Sequence, residues 1–216
     1  MARRNDHSRE EIREMALAAA EKIVAQQGLE GLTTRRVAQT IGYTAGTLYH
    51  VFANLDDLIL QVNGRTLDRL YRHLEGVLTP DTPPRIGLIR LGEAYLSFAN
   101  EESQAWEMVF KHRLPESERA PEWLREKVSR IFDRVESQLR PLAPERTPEE
   151  IGEAARALWG GVHGICILAL TGNLDITGSE SVERLTHSLI SHYLDGFVAA
   201  KPRKTQTSLN HKPQTT

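Results

Sequence analysis

The chain has 216 residues, 40% hydrophobic and 26% charged, with a formal net charge of −2; it can bury a sizeable core, and it is not a uniformly basic nucleic-acid coat, so any DNA affinity must come from a local basic surface. Its single cysteine, Cys166, excludes an intramolecular disulfide and suits a reducing cytosol. The longest purely apolar run, residues 165–170, is far too short to span a bilayer, and residues 1–7 are polar, without the apolar core of a secretory signal; a soluble cytoplasmic protein with no membrane partner is expected.

Helical periodicity runs through the chain, with no strong β alternation. Ser8 and Glu11 form a capping-box pattern that opens a first helix with an apolar face of Ile12, Met15, Ala16, Ala19, Ile23 and Val24, closed by Gly28. A second helix begins at Thr33 or Thr34, carries Val37, Ala38 and Ile41, and stops at Gly42. A turn over residues 42–44 leads to a third helix over 45–51. A fourth opens near Asn54 with Leu58, Ile59, Val62, Leu70 and Leu74, before Pro80, Pro83 and Pro84 break the chain. Helices follow over 86–99 and around 106–110. Pro121 reads as a first-turn proline, and the helix after it lines up Leu124, Val128, Ile131, Val135 and Leu139. Thr147-Pro148-Glu149-Glu150 is a strong start signal for a helix that ends at Gly172. The last helix holds Val182, Leu185, Leu189, Tyr193 and Phe197, and the acid-free tail from Lys201 is expected to be disordered and dispensable. The expected fold is all-α, about nine helices, with a head over residues 1–53, a helical body over 54–200 and a basic tail over 201–216.

The informative window is residues 31–55, which contains no Asp or Glu but does contain Arg35, Arg36, His50 and several hydroxyl side chains. Helix, glycine, turn and helix, with small residues opening the second helix, fit a helix-turn-helix. Thr44, Ala45, Gly46 and Thr47 leave room for the backbone near a base edge, and Tyr49 and His50 have donors for phosphate. The plain alternative is a small helical bundle with a solvated basic face.

The order Leu32-Thr33-Thr34-Arg35-Arg36-Val37-Ala38, Ile41-Gly42-Tyr43, Gly46-Thr47-Leu48-Tyr49-His50-Val51-Phe52 and then Leu58 resembles the DNA-binding domain of the TetR family. The resemblance implies that Thr34 and Arg36 lie against the DNA backbone. It implies that Thr44, Ala45, Gly46 and Thr47 face the major groove and that Tyr49 and His50 hold phosphates. Gly28, Gly42, Leu48 and Phe52 would be structural. Where the family often has a phosphate-binding lysine, this chain has Leu55 followed by Asp56 and Asp57, so Asn54 is the expected substitute. Ala45 is short for base reading, which shifts specificity toward Thr44, Thr47 and DNA shape. Residues 158–164, Leu-Trp-Gly-Gly-Val-His-Gly, resemble a Trp-His-Gly effector domain of one branch of that family. The implied function is a ligand-responsive repressor that binds a near-palindromic double-stranded operator as a homodimer. The alternative is a DNA-organising or protein-partner-responsive protein on the same fold, without a small ligand.

Three further expectations concern the body and the ends. Trp106, Phe110 and Trp159, with Tyr95 beside them, are expected to surround a pocket for a small apolar or aromatic effector, with His163 as its polar contact, although aromatics at helical spacing also build plain core. The helix over 149–171 is apolar on two sides, Leu158, Val162, Ile165 and Ala169 on one and Trp159, His163, Cys166 and Leu170 on the other; it is expected to face both its own core and a twin subunit, joined there by the last helix. Gly160, Gly161 and Gly164 would allow close approach, between subunits or within one chain. Arg3 and Arg4 form a short basic arm suited to a minor groove, with a solubilising leader as the alternative. No phosphate loop, nucleophile elbow or HExxH motif is present. His163 and Cys166 lack a second ligand pair, so no catalysis, metal or cofactor is expected.

Overall fold

Helix initiation is set locally. In the computed structural model, which describes residues 7–114, 119–174 and 181–200, nine α-helices are present among those residues. They are α1 (Arg9–Gln27), α2 (Thr34–Thr40), α3 (Ala45–Leu48), α4 (Leu55–Glu75), α5 (Pro84–Glu101), α6 (Ser103–Lys111), α7 (Glu122–Leu139), α8 (Pro148–Leu170) and α9 (Val182–Ala199). Ser8, Thr33, Thr44, Asn54, Thr147 and Ser181 each cap the helix that follows, their side-chain oxygens accepting a backbone N–H three residues on. Each such cap is worth about 1 kcal/mol. Both expected capping boxes form, Ser8 with Glu11 and Thr147 with Glu150. The arm at Arg3 and Arg4 and the tail over 201–216 lie outside the described residues.

Three boundaries differ from expectation; α5 opens at Pro84, which takes the first turn instead of breaking the chain, and runs past 99 to Glu101. The third helix was expected over 45–51, but α3 closes after four residues. The chain then tightens into i→i+3 bonds, with His50 N–H donating to the Thr47 carbonyl (3.2 Å) and Val51 N–H to the Leu48 carbonyl (3.0 Å). Pro121 caps α7 from outside rather than occupying its first turn, because its ψ of 152° is extended.

The apolar residues form two cores. The head core joins Ile12, Ala16, Ala20 and Val24 of α1 to Val37, Leu48, Phe52 and the first turns of α4, and it also takes in Ala105 and Met108 of α6. The body core joins α4, α5, α7, α8 and α9 around Leu91, Phe98, Leu139, Leu158 and Ile190, and it takes in Trp106 of α6. Helix α6, nine residues long, therefore feeds both cores from opposite sides, and α4 runs between them as the continuous link. At the stop of α1, Gly28 sits at φ 65°, a conformation that side chains disfavour, and it lies against the Gln104 side chain at the start of α6. No described helix is long and apolar enough to cross a membrane.

Candidate nucleic-acid interface and aromatic cluster

Helices α2 and α3 turn their apolar residues, Val37, Ala38 and Leu48, onto α1 and leave a polar outer surface. None of Thr34, Arg36, Thr44, Ala45, Gly46, Thr47, Tyr49, His50 and Asn54 is buried. Tyr49 is 57% exposed, so its ring and hydroxyl are open to solvent on this surface. Arg35, beside Arg36 in the acid-free window, is also exposed and belongs with this surface, although the sequence reading assigned it no role.

Several of these side chains already have work inside the head. Thr44 Oγ1 accepts the Thr47 N–H at 3.3 Å and lies 3.1 Å from Thr47 Oγ1. Arg36 Nη1 donates to the side-chain amide oxygen of Gln27, Oε1, at the end of α1. Asn54 Oδ1 accepts the Asp57 N–H at 2.8 Å while Asp57 Oδ2 accepts the Ala53 N–H at 2.9 Å, so the oxygen of Asn54 is committed to the start of α4. A phosphate would have to meet Asn54 through its amide nitrogen or its backbone. The acidic pair Asp56 and Asp57 occupies the first turn of α4, where negative charge suits the helix dipole. His112, the residue that closes α6, has Nε2 2.7 Å from Asp56 Oδ1 in the first turn of α4, with its side chain only 7% exposed.

In the body, the four aromatic-site residues come together around His163. Its ring centroid is 4.5 Å from Phe110, 5.0 Å from Trp106 and 5.0 Å from Trp159, the last nearly parallel at 28°. Tyr95 Oη completes the set at 2.8 Å from His163 Nδ1, and Phe132 packs edge-on against Trp159. Burial pushes His163 below its ordinary value, raises the Tyr95 phenol, and pushes the Cys166 thiol up to about 11. The Trp106 Nε1 is buried and has no hydrogen-bond partner among the described residues.

Beside this cluster lies an apolar cavity of about 50 Å³, walled by Leu88, Leu91, Gly92, Tyr95, Trp159 and Ile190 among others. Ligand pockets commonly measure about 300–1,000 Å³, so the cavity holds no sizeable effector with the rings as they stand. Trp159 borders it; Trp106, Phe110 and His163 pack alongside.

On α8, Leu158, Val162 and Cys166 are buried in the body core, whereas Gly160, Gly164, Ile167 and Leu168 are exposed. Residues of both expected faces pack within the chain, Leu158, Val162 and Cys166 in the body core and Trp159 and His163 in the ring cluster, so the faces divide differently from expectation. Cys166 joins Leu158 and Val162, and Ile165 and Ala169 are half-buried at the margin. Gly161 serves packing within the chain: a side chain there would come within 2.6 Å of Leu189 on α9. Gly160 and Gly164 have open space in front of them.

Comparison with known proteins agrees with this arrangement. The family "Bacterial regulatory proteins, tetR family" matches residues 16–62, and "Tetracyclin repressor-like, C-terminal domain" matches residues 88–193. The nucleoid occlusion factor SlmA of Vibrio vulnificus is 29% identical over 142 residues, 63% of this chain and 68% of that protein. The HTH-type transcriptional regulator BetI of Rhizobium meliloti is 27% identical over 158 residues, 71% of this chain and 77% of that protein. A Rhodococcus sp. RHA1 protein of unknown function shares the fold with a TM-score of 0.71 at 21% identity, over 90% of this chain and 98% of that one. With head and body both matched and the helix-turn-helix in place, the chain belongs to the TetR family of DNA-binding transcriptional regulators.

Proposed function

We propose that this regulator acts as a homodimer on a near-palindromic operator and leaves it when a small, largely apolar or aromatic effector enters the body. Thr44, Ala45, Gly46 and Thr47 would meet base edges, and Thr34, Arg36, Tyr49, His50 and Asn54 would meet phosphates. The exposed face of α8, with Gly160, Gly164, Ile167 and Leu168, would pack against its twin, and α9 would complete a four-helix contact. Such a protein works in the cytoplasm without a membrane partner and without catalysis.

The observation that carries the effector half is the double role of α6. Trp106 stands in the ring cluster of the body and Met108 in the core of the head, two residues apart on one short helix. An effector that displaced Trp106, Phe110 or Trp159 to enlarge the cavity would shift α6, and Met108 and His112 would carry that shift to the head. Differential binding to the two arrangements sets how far the operator affinity falls. Titrating hydrophobic compounds while following tryptophan fluorescence and operator release in one sample tests this. His163→Ala should abolish release and preserve DNA binding; a variant that still releases at the wild-type concentration would remove His163 from the site.

A second reading is a DNA-organising or partner-responsive protein without a small ligand. The small size of the cavity and the similarity to proteins named nucleoid occlusion factor favour it. A chromosomal binding map separates the two: a few promoter sites support the first reading, and many dispersed sites support the second.

A further inference from the structure

The apolar contact between head and body, made by Ala105 and Met108, is cohesive but not directional. A polar network beside it is directional. Arg65 and Arg69 stand one turn apart on α4 and share a face. Arg65 pairs with Glu14 of α1 and reaches Glu21 at 3.4 Å. Arg69 spans the two units: Nη1 is 2.6 Å from Glu21 Oε1 on α1, and Nε is 2.8 and 3.1 Å from the two Glu102 oxygens at the α5–α6 corner. Its Nη2 also donates to Thr66 Oγ1 at 3.3 Å, a buried hydroxyl on the same helix. The three charged side chains, Arg69, Glu21 and Glu102, are 29%, 24% and 32% exposed, so solvent screens them less than a surface pair.

We propose that Arg69 is a positioning residue for operator recognition. Its planar guanidinium holds Glu21 of the head and Glu102 of the body in one fixed fork, a geometry a lysine ammonium cannot reproduce. The fork therefore sets the angle at which α2 and α3 stand off the body. In the dimer of the preceding reading, on which this inference rests, that angle fixes the separation of the two reading helices and hence the half-site spacing accepted. Glu102 also occupies the cap position of α6, so the fork holds the start of the helix that feeds both cores.

The test uses an operator selected by the full-length protein from random duplexes, and derivatives with one base pair inserted or removed between the half-sites. Each change moves a half-site by about 3.4 Å and about 35°. The wild type should prefer the selected spacing by about tenfold, and Arg69→Met should reduce that preference to about twofold. The lost charge lies on α4, away from the reading surface, so its long-range effect on DNA is common to all spacings and cancels in the ratio. Glu102→Gln should reproduce the flattened profile, and it carries the test if Arg69→Met fails to fold; Arg69→Lys should fall between. An unchanged profile in folded variants, or an equal loss at every spacing, would overturn the positioning role alone. A wild type with no spacing preference would overturn the dimeric operator reading, and this inference with it.

Discussion

Thr44 and Asn54 illustrate what single side chains allow. Both were assigned to DNA because short polar groups stand at the right places in the motif, and both prove to cap helices with their oxygens. Sequence does not separate the two roles, because a hydroxyl or amide that satisfies a helix end is the same group that meets a phosphate. Thr44→Ala should therefore cost about 1 kcal/mol of stability, read by denaturant unfolding, besides any loss of DNA affinity. Tyr49→Phe should leave stability unchanged and weaken binding to every sequence alike, read by fluorescence anisotropy, because the ring is already exposed and only the hydroxyl is lost. His163 and Tyr95 were legible as members of one aromatic set, whereas the hydrogen bond that joins them across 68 positions had no local signal. Because burial holds His163 below its ordinary value of 6.5, the unfolded chain binds the extra proton first. The stability contribution is fully present above pH 6.5 and falls as the pH drops below it. Thermal melts from pH 8 down to pH 5 should show that decline, and His163→Phe should reduce it.

Among the elements, helix starts were readable because caps are local: Ser8 with Glu11 and Thr147 with Glu150 act within four residues. What a helix packs against is not local. The periodicity around 106–110 marked a short helix, yet nothing in it said that Met108 would enter the head core while Trp106 entered the body core. Likewise α8 read as two-sided, but the placement of Cys166 beside Leu158 and Val162 depends on how α5 and α9 lie against it. Helix α3 is four residues long, below what stands alone, and its length is set by packing of Leu48 and Phe52 rather than by its own propensity. Met108→Ala should destabilise the protein by about 2–5 kcal/mol and impair DNA binding through the head core. Val128→Ala on α7, at a 38% exposed position, should change stability by no more than about 0.5 kcal/mol. Equal effects in urea unfolding would contradict the assignment of Met108.

At the scale of the whole molecule, a protein of net charge −2 must bind DNA through a local surface. The acid-free window over 31–55 is the surface proposed for it, and the acidic residues fall elsewhere, many of them paired with arginines along α1, α4 and α7. The exposed apolar face of α8 needs a cover, and a charge placed there should expose the monomer. Gly164→Glu, facing open space within the chain, should keep the fold by circular dichroism and shift the sedimentation coefficient to that of a monomer. On this reading the surface discriminates between base sequences. The most direct test is the affinity of the full-length protein for its own selected duplex against a scrambled duplex of equal length, by fluorescence anisotropy at physiological salt. Sequence-specific recognition predicts a ratio of at least about 10³; equal affinity for the two duplexes would contradict it.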